Sequence, residues 1–208
     1  MNLQFSAKEV QDLFVAWLAL GLAFAIFFER SVNGLLQEGI VLPLVVSLLT
    51  AGVAFLLHEL AHKVVAVRFD QVAEFRADYS MLFIAIMSAV VGFLFAAPGA
   101  VHHRGYLTER EHGLIAFAGP VMNLVLAVVF VPILVVGAGG GSGLITEIGA
   151  KGIIINLFLA AFNLIPFGSL DGRTVVGWSK VVWVVSFVVS AGLAVLAYIL
   201  LFANGLGF

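Results

Sequence analysis

Hydrophobic and polar positions along this 208-residue chain alternate in long blocks, not with the short periods of a soluble fold. Apolar runs cover about Val10 to Phe28, Ile40 to Val67, Tyr79 to Ala97, Gly113 to Val136, Ile148 to Gly168 and Val181 to Phe202. Each has the roughly 20 residues that a helix needs to cross about 30 Å of hydrocarbon. Short polar connectors lie between them, at Glu29 to Gly39, Arg68 to Asp78, His102 to His112 and Asp171 to Arg173. The glycines of Gly137 to Gly143 predict a turn there and no helix. The expected fold is all-α, a polytopic transmembrane helical bundle of five to six membrane segments. Without an internal repeat or a separate soluble region, residues 1–208 read as a single integral membrane domain.

Composition agrees with the block pattern. Apolar residues make up 62% of the chain and charged residues 11%, against about 25% charged in ordinary soluble domains. With a net charge of −2 and no basic tail nothing points to nucleic acid, and the absence of cysteine excludes disulfides, thiolate metal sites and cysteine nucleophiles. The first apolar run resembles a signal peptide, but it ends at Glu29-Arg30 without a small-x-small cleavage pattern, so a retained anchor is expected. Lysine and arginine positions bear on which runs cross. With a cytoplasmic N-terminus and a 79–97 segment that does not cross, only Arg30 and Lys151 of the ten Lys/Arg residues lie outside. If 79–97 crosses, the tally becomes five to five. Short cytoplasmic loops carry the positive excess, so 79–97 is expected to be a re-entrant or hairpin segment of a multi-pass cell-membrane protein.

Against that apolar background, Leu56-Leu57-His58-Glu59-Leu60-Ala61-His62 stands apart. Positions i and i+4 lie over one helix face, about 6 Å apart along the axis. Two neutral imidazoles so placed hold one Zn²⁺, with Glu59 beside them as a proton acceptor. Ionisable residues this deep in an apolar segment are costly unless compensated, and a metal is such a partner. A catalytic zinc takes three protein ligands and leaves one position open. With cysteine absent, the third ligand is a carboxylate or another histidine. His102, His103 and His112 share one polar loop and read as solvated. Asp171 stands out among the carboxylates, in Asn163-Leu164-Ile165-Pro166-Phe167-Gly168-Ser169-Leu170-Asp171-Gly172. Its competing reading is a helix-end aspartate in a turn before Gly172. In the charge-favoured topology the second and 148–168 segments run in the same direction, which puts Asp171 and the histidines at similar depth toward the cytoplasm.

His58-Glu59-x-x-His62, Gly119-Pro120-x-x-Asn123 and Asn163-x-x-Pro166-x-x-x-x-Asp171-Gly172 together resemble the site-2 protease family of intramembrane zinc metalloproteases, over a core of about residues 40–175. The resemblance implies a three-helix catalytic core with 113–136 as its middle helix, and one Zn²⁺ per chain held by His58, His62 and Asp171. It further implies Glu59 as catalytic base and Asn163 as a residue that positions substrate backbone. The implied activity is a zinc metalloendopeptidase cleaving transmembrane-helix substrates in regulated intramembrane proteolysis. Its expected partners are a membrane-spanning protein substrate and the lipid bilayer, with the active site toward the cytoplasm. The chain looks like the small form of the family without a PDZ domain. It departs from the family in having Gly168 where a second proline is common, and in its long apolar 79–97 segment. The alternative is a non-proteolytic membrane protein, a metal transporter or a helix-binding pseudoprotease. A transporter would spread its ligands along a path, and a pseudoprotease would have lost Glu59 or a ligand. The sequence leaves substrate identity and oligomeric state open.

Overall fold

The computed structural model describes residues 3–95 and 98–206. Ser6 starts helix α1 (Ala7–Phe28) by accepting the Glu9 backbone N–H at 3.0 Å. Its 22 residues rise about 33 Å, enough to cross a bilayer. The connector that follows is not all loop, since Ser31 caps a seven-residue helix α2 (Val32–Glu38). Helix α3 (Val41–Ser47), a π turn at Leu48–Gly52 and helix α4 (Val53–Arg68) join into one continuous 28-residue helix. The wide turn packs on α1, where the Trp17 indole N–H donates to the Leu48 carbonyl at 3.1 Å. A π bulge inserts a residue and so rotates the following helix face. Here that face bears the histidines.

Residues 79–95 hold no helix of membrane-crossing length. Strand β1 (Val72–Ala77) pairs antiparallel with strand β2 (Gly99–Arg104), Val72 opposite Arg104 and Ala77 opposite Gly99. The chain therefore leaves and returns on the same side. Between the strands, helix α5 (Tyr79–Val90) has only 12 residues, about 18 Å of rise. Asp78 caps its start, and Gly92 at φ +90° turns the chain out of it. Hydropathy overstates this stretch because it does not register the turn. The re-entrant expectation stands, with a helix inside it.

Helices α6 (Glu109–Gly140), α7 (Gly143–Asn163) and α9 (Lys180–Ala203) complete the five membrane-length helices among the described residues; the eight-residue α8 (Asp171–Trp178) lies between the last two. The glycine-rich stretch 137–143 differs from its expected turn. Gly137 to Gly140 continue α6, and only Gly141, in the left-handed region, breaks the chain before α7. The reason is packing: a Cβ on Gly137 would lie 2.4 Å from the Thr146 backbone N. The glycine here admits a neighbouring helix. Ala127 and Phe130 of α6 interlock with Ile153 and Leu157 of α7, and α4 lies against α6. The His58-Glu59-x-x-His62 stretch of α4 meets α6 here.

Candidate metal centre

His58 and His62, one turn apart on α4, turn their Nε2 atoms toward each other at 2.9 Å. Each ring is fixed from behind. His58 Nδ1 lies 2.6 Å from the Asn123 side-chain oxygen, and His62 Nδ1 lies 2.7 Å from the Ile115 carbonyl. Both partners are acceptors, so both Nδ1 atoms carry the proton and both Nε2 atoms present lone pairs.

Asp171 arrives from the other side of the cleft. Beyond α7 the chain turns through residues 164–170, anchored by the Trp183 indole N–H donating to the Leu164 carbonyl at 2.7 Å. Gly168 takes φ +61° in this turn, a backbone conformation closed to proline. That accounts for the missing second proline. A Cβ on Gly172 would meet the Leu164 carbonyl at 2.0 Å, so the Asp-Gly step lets α8 start hard against the end of α7. The Asp171 Oδ2 then lies 3.2 Å from His58 Nε2 and 3.4 Å from His62 Nε2. It is buried and has no hydrogen-bond partner.

Three proton-free atoms thus converge with separations of 2.9, 3.2 and 3.4 Å. Ligands about 2.0–2.1 Å from a tetrahedral zinc are roughly 3.3 Å from one another. The donor set, its spacing and the orphaned Asp171 oxygen all fit one such cation, and this is the group of three or more His, Asp or Glu side chains with metal-ligand spacing among the described residues. Gly119 belongs to the same arrangement: a Cβ there would lie 2.4 Å from both Nε2 atoms.

The site opens into a cavity of about 300 Å³ lined by Glu59, Asn163, His103 and His112, with Phe55 and Phe158 on its apolar walls. Glu59 follows His58 on α4 and is buried, its carboxylate faced by the Val101 N–H of β2. Asn163 lines the cavity, while its side-chain N–H donates to the Leu159 carbonyl one turn back at 3.0 Å. Of the loop histidines, His102 and His112 are exposed, as their solvated reading expects, and His103 is half-buried. His102 and His103 are on β2 and His112 is on α6, and the rings of His103 and His112 meet edge to face at 5.4 Å. Burial, then the neighbouring His112 and His102, push the His103 imidazole below its ordinary pKa. The Ile115 carbonyl and the Val101 N–H had no sequence signal, since any residue supplies a main-chain group.

Five membrane-length helices and a His-His-Asp cluster that could hold a metal ion define a polytopic helical membrane protein with a candidate metal site. The chain is 36% identical over 199 residues to the protein named Putative zinc metalloprotease MJ0611 from Methanocaldococcus jannaschii, covering 95% of each. It is 33% identical over 144 residues to Putative zinc metalloprotease YwhC from Bacillus subtilis, covering 62% of this chain and 66% of that one. The chain belongs to this zinc metalloprotease family. No family model matches it, and no solved structure matches it.

Proposed function

We propose that this chain is an intramembrane zinc metalloendopeptidase of the site-2 protease family that cleaves transmembrane-helix substrates in regulated intramembrane proteolysis. The observation that carries this reading is the convergence of three lone-pair atoms beside Glu59, at the end of a membrane-length helix. His58, His62 and Asp171 would hold one Zn²⁺. When bound, the metal supplies Lewis acidity for a peptide carbonyl and for a water molecule. Glu59 takes a proton from the attacking water and returns it to the departing amine nitrogen. The Asn163 amide helps position the substrate backbone beside these groups.

A transmembrane helix satisfies its own backbone hydrogen bonds, so it must unwind before a carbonyl can be attacked. Extended peptides are commonly held by strand addition, and the register of the hairpin supports such a role for β2. The Phe75 and Ala77 N–H groups of β1 donate to Glu9 and Asp12 of α1, at 3.0 and 3.4 Å. They therefore point away from β2, and the outer edge of β1 is closed. Their partners Val101 and Gly99 point outward on the opposite edge, which lines the cavity. This open side supports 99–104 as the receiving edge, where substrate would displace the Glu59 carboxylate from the Val101 N–H. The Lys/Arg tally favours an N-terminus and an active site toward the cytoplasm of the cell membrane, from which water would enter.

The test is metal content and cleavage of a helical test substrate by the purified protein in nanodiscs. Glu59→Gln should keep zinc and lose activity; Asp171→Ala should lose metal occupancy. Full turnover by Glu59→Gln refutes the assigned base. Crosslinks from an unwound substrate should fall on β2, and labelling confined to α4 and α7 would count against strand addition.

A further inference from the structure

We infer that Asn156, on α7 and out of contact with the metal cluster, selects the tautomer of His58 by fixing which way round the Asn123 amide lies. The inference rests on the metal-binding reading above. A side-chain amide can offer either its oxygen or its NH₂ to a neighbour. If Asn123 offered NH₂ to His58 Nδ1, the ring would carry its proton on Nε2. The lone pair would then be lost at the point where the three ligand atoms converge.

The surroundings exclude that orientation. Asn123 Nδ2 has two hydrogens and two acceptors, the Ala54 carbonyl at 3.2 Å and the Asn156 side-chain oxygen at 3.0 Å. Asn156 is itself held, since its Nδ2 donates to the Gly152 carbonyl at 2.8 Å. Turning Asn123 over would set its oxygen against two acceptors. Both amides are 0% exposed, so no solvent relieves the clash. The order runs in one direction, from the Gly152 carbonyl through Asn156 and Asn123 to His58. His62 needs no such device, because its Nδ1 partner is the Ile115 main-chain carbonyl, which cannot turn over. Asn156 is therefore a positioning residue, acting from a third helix through Asn123.

A bland role competes with this one: two buried amides hydrogen-bonding α6 to α7 for stability alone. The two differ in what Asn156→Leu and Asn156→Asp do. The aspartic acid, neutral in this fully buried place, keeps an acceptor for Asn123 Nδ2 and an O–H for the Gly152 carbonyl; the leucine removes both. In the full-length protein in nanodiscs, zinc affinity is measured by competition with a chromogenic chelator, and the His58 tautomer by ¹⁵N-histidine NMR of the metal-free protein. Asn156→Leu should weaken zinc binding about 10–100-fold, the range for loss of a ligand-orienting partner, and populate the Nε2–H tautomer of His58 alone. Asn156→Asp should stay within about threefold of wild type, inside the smallest such loss. Unchanged zinc affinity in Asn156→Leu, with only its melting temperature lowered, overturns the inference. If that variant fails to fold, the wild-type spectrum still decides, because an Nε2–H tautomer at His58 contradicts the proposal. Wild-type protein that binds no zinc sinks the metal reading instead, and so separates the two failures.

Discussion

His62 and Lys63 are consecutive on α4 and both are buried, at 7% and 1% exposure, yet their electrostatic surroundings are opposite. Lys63 meets its counter-charge. Its Nζ lies 2.5 Å from Glu9 of α1 and 2.6 Å from the Gln4 carbonyl, over the Phe5 ring. The other Glu9 oxygen takes the Phe75 N–H of β1. Nearby, Asp12 is matched by Lys8 and the Tyr79 hydroxyl, each at 2.6 Å. On the face that His62 occupies, three acceptor atoms converge and no donor among the described residues balances them. Burial of charge alone therefore does not mark a functional site. The closed cluster is scaffold, tying α1, α4 and the hairpin together; the unbalanced one calls for a cation from outside.

The sharpest way to break this contrast is to act on each cluster separately. Asp171→Ala or His58→Ala should bring bound zinc to background and lower turnover roughly 10³–10⁴-fold, about 4 to 5.5 kcal/mol of barrier. Chelation of the wild type should do the same, with zinc restoring activity. Metal content and single-turnover cleavage check both. If the chelated protein keeps its turnover, the unbalanced cluster is not a metal centre. The scaffold cluster should respond in stability. Glu9→Ala leaves Lys63 buried without its partner, a change that costs about 3–5 kcal/mol in comparable pairs. Replacing both residues with apolar ones, Glu9→Leu with Lys63→Met, should recover much of that loss. Zinc stoichiometry should stay at one in the double variant. A double variant no more stable than Glu9→Ala would mean that the pair does more than neutralise itself.

These two clusters were unequally legible in the sequence. His58, Glu59 and His62 could be read together because helical periodicity alone sets their spacing. Asp171 lies more than a hundred positions away, and what pointed to it was its place in Asn163-x-x-Pro166-x-x-x-x-Asp171-Gly172 and the family resemblance of that motif, with the shared direction of two helices inferred from Lys/Arg bias. The structure brings it to 3.2 Å from His58. Glu9 with Lys63 had no comparable signal. A hydropathy window beginning near Val10 treats Glu9 as flanking and exposed, whereas α1 begins at Ala7 and buries it. Pairing across 54 positions is a property of how helices meet, not of local pattern. The strands were hidden for a similar reason, since Val72–Ala77 and Gly99–Arg104 are polar-mixed segments whose pairing shows only after α5 turns back. Asn156 lies within an apolar run and reads there as a lone polar residue.

A smaller test probes how tightly the open cluster is framed. Gly119→Ala would place a methyl carbon against both Nε2 atoms, 2.4 Å from each before relaxation. Displacing α6 or the rings should lower zinc affinity about tenfold or more, as loss of ligand-orienting packing does. Fold stability should change far less than in Glu9→Ala. Chelator competition and thermal melting, run on the same samples, separate the two readouts. Equal zinc affinity for Gly119→Ala and wild type would show that the site relaxes freely, contrary to a preorganised centre.

The smallest effect belongs to Asn163, a cavity-wall amide that already has a partner within its own helix. Its Nδ2 donates to the Leu159 carbonyl at 3.0 Å, leaving a second N–H and the side-chain oxygen for a peptide. One neutral hydrogen bond to substrate contributes about 0.5–1.5 kcal/mol, roughly two- to thirteenfold in kcat/KM. Asn163→Ala should therefore lower kcat/KM by no more than about thirteenfold, with zinc content unchanged. A loss carried by KM would place the amide on the substrate backbone in both ground and transition states, whereas an equal loss in kcat would place its contact in the transition state alone. Wild-type kinetics in Asn163→Ala would remove it from the substrate path and leave it as a helix-end hydrogen bond at the close of α7.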